Sequence, residues 1–162
     1  MGLLSHLSRF FSSSKQNDKK LKSELESEIE TLIFTSDATI LIVDDSKTQI
    51  AVCQKWLSDA GYKTITASDG REGILKTKQE HPDLILMDIV MPNVNGFQAT
   101  RYLKRQTTTK HIPIVLISGE EQSSGRIWAK KLGACCFMVK PMDKDKLLRL
   151  TSRILDHYPR TK

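Results

Sequence analysis

Five residues able to do chemistry stand just beyond apolar runs: Asp44 and Asp45 after TILIV, Asp88 after LILM, Ser118 after PIVLI and Lys140 after CCFMV. A run without polar alternation, such as Leu84 to Met87, is what a central strand covered on both faces looks like, and such strands belong to parallel sheets. Parallel strands would bring all five residues to one edge, the carboxyl end, where open α/β sheets hold ligands. Three carboxylates held together raise one another's pKa unless a cation neutralises them. A hard divalent ion, Mg²⁺ first among them, takes oxygen donors and keeps waters for a substrate phosphate. The spacing thus predicts a Mg²⁺ pocket ringed by carboxylates, a hydroxyl and an ammonium. Such a set suits phosphoryl transfer to a carboxylate. Asp88 would be the nucleophile, Lys140 and the metal would neutralise the phosphoryl oxygens, and the Ser118 hydroxyl would donate to one of them.

The elements that must position these residues read clearly. From residue 39 onward, TILIV (39–43), YKTITA (62–67), DLILMD (83–88), PIVLIS (113–118) and CCFMV (135–139) alternate with helical patterns. Five strands with helices between them imply βαβ crossovers and a five-stranded parallel sheet covered on both faces, a doubly wound three-layer α/β fold. Gly61 and Gly133 fall where the first and fourth helices should end, and Asp69 is placed to cap the second.

The chain has 162 residues, enough for one domain and an appendage. No apolar stretch approaches the roughly 18 to 20 residues needed to span a bilayer, and residues 1–20 lack the cleavage site of a secretory signal, so a cytoplasmic location is expected. The three cysteines fit reduced, buried thiols; on an extended strand the neighbours Cys135 and Cys136 would point to opposite faces and not bridge easily. The net charge of +6 divides into +3 over residues 1–20, −4 over 21–37 and +7 over the remainder. The basic residues are dispersed, without interleaved aromatics, zinc spacing or a helix-turn-helix signature, so DNA binding is not expected.

Residues 1–37 differ in kind and read as an N-terminal extension. MGLLSHLSRFF places Leu3, Leu4, Leu7, Phe10 and Phe11 on one helical face; SSSKQNDKK is a polar break; LKSELESEIETLIF repeats apolar residues at 21, 25, 29 and 32, as a short amphipathic helix does. Residues 1–20 fit a weak membrane-surface anchor, a segment that docks on a partner or covers a patch of the α/β domain, or a polar-localisation peptide, readings that stay open. Peripheral-membrane or polar placement is therefore an option beside the plain cytoplasmic one.

Over about residues 38–158 the chain resembles the receiver domains of two-component response regulators, the CheY-like family with its flavodoxin-like (βα)5 fold. Asp44 and Asp45 match the family's acidic pair, Asp88 its phosphoacceptor, Ser118 its Thr/Ser switch residue and Lys140 its lysine. Phe137 falls on the aromatic switch position, and Met91-Pro92 and Gly96 match the loop after the phosphoacceptor. The resemblance implies that Mg²⁺ is held by Asp45, Asp88 and the backbone carbonyl of Val90, with Asp44 beside them. It implies a cis Lys140-Pro141 bond, a histidine kinase as phosphodonor and an output surface formed by the fourth and fifth helices with the last strand. Arg126, Trp128, Lys130, Lys131 and Lys146 fall on that surface, where an acidic partner would fit. The stretches DIVMPNVNGFQATRYLK and RIWAKKLGACCFMVKP are most similar to stand-alone receivers of the chemotaxis-like systems governing type IV pilus twitching motility.

The residues separate this reading from its rivals. An aspartate-dependent phosphatase needs a second aspartate two positions after the nucleophile, and that position is Val90, which cannot serve as an acid. An apolar Val90 also cannot position an attacking water, so a long-lived phosphorylated state is expected unless Glu120 offsets it. The 22 residues after Lys140 leave room for one helix and a tail over 159–162, so no output module and no enzymatic activity beyond its own phosphoryl chemistry is expected. The expected function is a phospho-dependent binding switch. The alternatives are a phosphate sink for a shared kinase and a phosphorylation-independent adaptor or scaffold.

Overall fold

A computed structural model describes residues 37–119 and 123–158. The leader segments before residue 37, Glu120 and the tail over 159–162 lie outside the described residues. The elements run β1 (Thr39–Val43), α1 (Lys47–Asp59), β2 (Lys63–Ala67), α2 (Gly70–Glu80), β3 (Leu84–Asp88), α3 (Gly96–Arg105), β4 (Ile114–Ser118), α4 (Ser123–Lys131), β5 (Cys136–Val139) and α5 (Lys144–His157). All strand pairs are parallel, in the order β2-β1-β3-β4-β5. This is the doubly wound sheet expected from the alternation of strands and helices. Among the described residues no helix is long and apolar enough to cross a membrane.

Period-two alternation sorts the strand residues into two cores. Leu41, Val43, Ile85, Met87, Ile114 and Leu116 face one side, where Ala99 and Leu103 of α3 and Ala129 of α4 cover them. Ile40, Ile42, Leu84, Leu86, Val115 and Ile117 face the other, under Cys53 and Leu57 of α1 and Leu147 and Ile154 of α5. Because both faces are covered, β3 is buried at every residue, which explains its unbroken apolar sequence.

Local chemistry fixes the helix ends. The side chains of Ser46, Asp69, Asn95 and Asp143 cap α1, α2, α3 and α5 by accepting backbone N–H groups, and Asn95 with Gln98 completes a reciprocal capping box. Gly61 and Gly133 take positive φ values of 85° and 83°, where a side chain would be strained. One expectation is corrected: Cys135 and Cys136 do not face opposite cores but both pack against the α1/α5 layer. Cys135 precedes the strand, with its N–H and its thiol both directed to the Ile114 carbonyl, so the alternation begins only at Cys136. All three cysteines are free thiols.

Candidate functional site

Sheet register assembles the site. Val43 pairs with Met87, Asp88 with Ile117 and Ser118 with Val139, so the residues at or just past these strand ends (Asp44, Asp88, Ser118 and Lys140) lie side by side. The Lys140 N–H donates to the Ser118 carbonyl at 2.7 Å, and the Lys140-Pro141 peptide is cis. The chain turns sharply after Asp88 because Gly96 closes against it. The Gly96 N–H donates to the Ile89 carbonyl at 3.0 Å, and a Cβ at position 96 would run into the Asp88 carbonyl oxygen.

Lys140 ties two buried carboxylates together. Its Nζ lies 2.8 Å from Asp44 Oδ2 and 2.9 Å from Asp88 Oδ1, while Asp44 Oδ1 accepts the Ser46 N–H at 2.8 Å. Asp44 and Asp88 are 4% and 3% exposed, whereas Asp45 is open to solvent, so the two members of the acidic pair have different environments. Burial pushes the Asp88 carboxyl up from its ordinary value, with the neighbouring Asp44 and Asp45 charges adding to the rise and Lys140 opposing it. Burial alone would lower the Lys140 ammonium, but its hydrogen bonds to Asp44 and Asp88 and their charges together outweigh that and raise it.

The donor set fits a divalent cation. Asp44, Asp45 and Asp88 each offer an oxygen, all within 4.8 Å of one another, and only one fixed ammonium opposes the three charges. Hard oxygen donors at the mouth of an open crevice are what Mg²⁺ takes when it keeps waters or phosphate oxygens in its remaining positions. The crevice, of about 760 Å³, is lined by all three aspartates with Val90, Ser118 and Lys140. Chemically it offers a buried nucleophilic carboxylate, a charge-compensating ammonium and a nearby hydroxyl.

Residues 40–152 match the model of the response regulator receiver domain. The chain belongs to the response regulator receiver family. The receiver is 40% identical over 118 residues to Protein PilH of Pseudomonas aeruginosa, a match covering 73% of this chain and 98% of that protein. It is 38% identical over 121 residues to Response regulator PleD of Caulobacter vibrioides, but there the match spans only 26% of the relative. Among solved structures it resembles the chemotaxis response regulator CheY4 of Vibrio cholerae, with TM-score 0.70, 33% identity, and coverage of 74% of this chain and 100% of that one. A response regulator described as putative from Chloroflexus aurantiacus gives TM-score 0.72 at 26% identity, covering 75% of this chain and 99% of that one.

Of the other residues singled out on α4, β5 and α5, Trp128 lines this crevice and the rest lie outside its lining. Phe137 is half-buried against the core beside α4: a Cβ at Gly125 would come within 3.1 Å of its ring, and the Arg126 guanidinium lies 5.4 Å from the ring centroid. Lys130, Lys131 and Lys146 are exposed on α4 and α5. Trp128 is also exposed on α4, but it lines the crevice itself, together with Phe97 and Gly125. Sequence reading missed Phe97 and Gly125. The available signals were that Phe97 immediately follows Gly96 in the loop after Asp88, and that Gly125 falls near the start of the helix that leads into the strand carrying Phe137.

Proposed function

We propose that this receiver takes a phosphoryl group from a histidine kinase onto Asp88 and signals by changing which protein it binds. The observation that carries the reading is Lys140 holding both Asp44 and Asp88 at hydrogen-bond distance inside a crevice lined by Ser118. The Asp88 carboxylate attacks phosphorus, the bond to the donor's imidazole nitrogen breaks, and an aspartyl phosphate forms. Lys140 compensates the charge gathering on the phosphoryl oxygens, and the Ser118 hydroxyl donates to one of them. Asp44, Asp45, Asp88 and the Val90 carbonyl would hold a Mg²⁺ ion, which when bound would supply further positive charge at the phosphoryl oxygens. Ser118 and Phe137 then act as the switch, biasing the packing of Phe137 against α4 when the hydroxyl moves toward the phosphoryl group.

The output surface of this reading is the α4, β5 and α5 face, where Arg126, Lys130, Lys131 and Lys146 present positive charge to an acidic partner. A place in the cytoplasm, in a pilus-related chemotaxis-like system governing twitching motility, extends this reading; it rests on the resemblance of DIVMPNVNGFQATRYLK and RIWAKKLGACCFMVKP to receivers of such systems, and the similarity to Protein PilH agrees with it. The test has two arms. Incubation with Mg²⁺ and acetyl phosphate should add one phosphoryl group by intact mass to the wild type and none to Asp88→Asn; equal labelling of both would refute Asp88 as acceptor. Affinity capture with the Mg²⁺ and beryllofluoride form should retain a pilus-system partner that Asp88→Asn does not. Matching captures apart from a kinase would instead assign the receiver as a phosphate sink.

A further inference from the structure

The crevice holds more than a cation and a phosphoryl group require. Away from the carboxylates its about 760 Å³ are walled by apolar side chains, Ile89, Val90, Phe97 and Trp128. Trp128 remains 56% exposed although its neighbour Ala129, at 2%, is the residue that seats α4 on the core. The indole thus contributes little to the core. It lines the crevice with Lys131 Nζ 5.2 Å from its ring centroid, and with Val90, 73% exposed, it leaves open apolar surface beside a polar site, a place where something is recognised.

In-line transfer to Asp88 places the donor's leaving group on the far side of phosphorus, toward the mouth of the crevice. We propose that Trp128, in the wall it shares with Phe97, is the platform for that leaving group and selects donors whose phosphorus is carried on an imidazole ring. The inference rests on Asp88 being the phosphoacceptor. An N-phosphorylated imidazole, whose ring titrates near neutral pH, reacts in the form that carries a proton on its second nitrogen. When the P–N bond breaks and the P–O bond to Asp88 forms, the bonding electron pair stays on the first nitrogen and neutral imidazole departs. No external acid is needed, so the wall around the leaving group can be apolar. A flat, protonated ring is the shape and charge that an indole face attracts. Phosphoramidate has the same P–N bond without a ring, and acetyl phosphate releases acetate through P–O cleavage; neither has a ring to stack.

The test compares phosphorylation rates of the full chain by phosphoimidazole, phosphoramidate and acetyl phosphate, each with Mg²⁺, for wild type, Trp128→Ala and Trp128→Phe. The ratio of the phosphoimidazole rate to the phosphoramidate rate should fall about three- to tenfold in Trp128→Ala, the size of an aromatic pairing interaction, and recover in Trp128→Phe. A general loss of structure would slow all donors alike and leave the ratio unmoved, so an unchanged ratio overturns the inference. A wild type that accepts phosphoryl from none of the three donors would overturn the phosphoacceptor reading, and the platform with it.

Discussion

At the residue scale the site is asymmetric in a way that bears on the lifetime of the aspartyl phosphate proposed for Asp88. Asp88 and Asp44 are locked to Lys140, while Val90, two residues beyond the acceptor, is 73% exposed and lines the crevice without any group to hold a water. Hydrolysis of an aspartyl phosphate needs a water aligned opposite the leaving carboxylate, and a valine side chain offers that water no hydrogen bond. Substituting Val90→Asn adds one amide at the mouth without disturbing the core. Dephosphorylation should then quicken by about three- to tenfold, the kinetic equivalent of one hydrogen bond of about 1 kcal/mol. Following decay after removal of the phosphodonor checks this, and equal decay of the two proteins would mean that other groups set the lifetime. The types and spacing of Asp44, Asp45, Asp88, Ser118 and Lys140 were legible in the sequence because strand ends alone place them at one edge. The contrast between buried Asp44 and exposed Asp45 was not, since it depends on how Lys140 reaches across from a strand 96 residues away.

At the element scale β3, which ends on Asp88, is held at its end by a contact made of backbone alone. Gly96 opens α3 directly against the Asp88 carbonyl, and its N–H is bonded to Ile89, so neither partner has a side chain that could swing aside. Gly96→Ala should therefore cost about 2 to 4 kcal/mol of stability, whereas Gly119→Ala, whose added methyl meets nothing within 4 Å among the described residues, should stay within about 0.5 kcal/mol. Denaturant unfolding of both variants checks the contrast, and equal costs would mean that the turn after Asp88 can relax. Strand and helix identities were legible here because β3 reads as an unbroken apolar run and because Asp69, Gly61 and Gly133 carry their turn chemistry locally. The layer taken by Cys135 and the crevice-facing side of Trp128 were not. The first depends on where β5 starts pairing with β4, and the second on how α4 is rotated about its anchor at Ala129.

At the scale of the whole molecule, the two cores on either side of the sheet set the response to alkaline pH. Cys53 is sealed in the α1/α5 core, and burial, reinforced by the charge of Asp44, pushes its thiol up to about 11. Cys135 rises to about 11 chiefly through burial as well, and burial also raises the phenol of Tyr62. An unfolded chain releases thiol protons near pH 9, so between about pH 9 and 11 the folded state holds protons that the unfolded state has lost. Stability must fall as pH rises through that window. Lys104 acts in the opposite sense, because burial lowers its ammonium and raising the pH relieves the cost of keeping it charged. Cys53 is the thiol to test, since it is 1% exposed and packed in the core between α1 and the sheet. Replacing it with alanine leaves a small cavity that lowers stability equally at every pH, but removes its share of the alkaline loss. Urea unfolding at about pH 8.5 and about pH 11 should show the wild type losing about 2 kcal/mol more between the two than Cys53→Ala does, the linkage equivalent of a shift from 9.0 to about 11. An identical loss in both proteins would mean that the thiol ionises as readily in the fold as out of it, and that α1 opens from the sheet far more easily than its packing indicates.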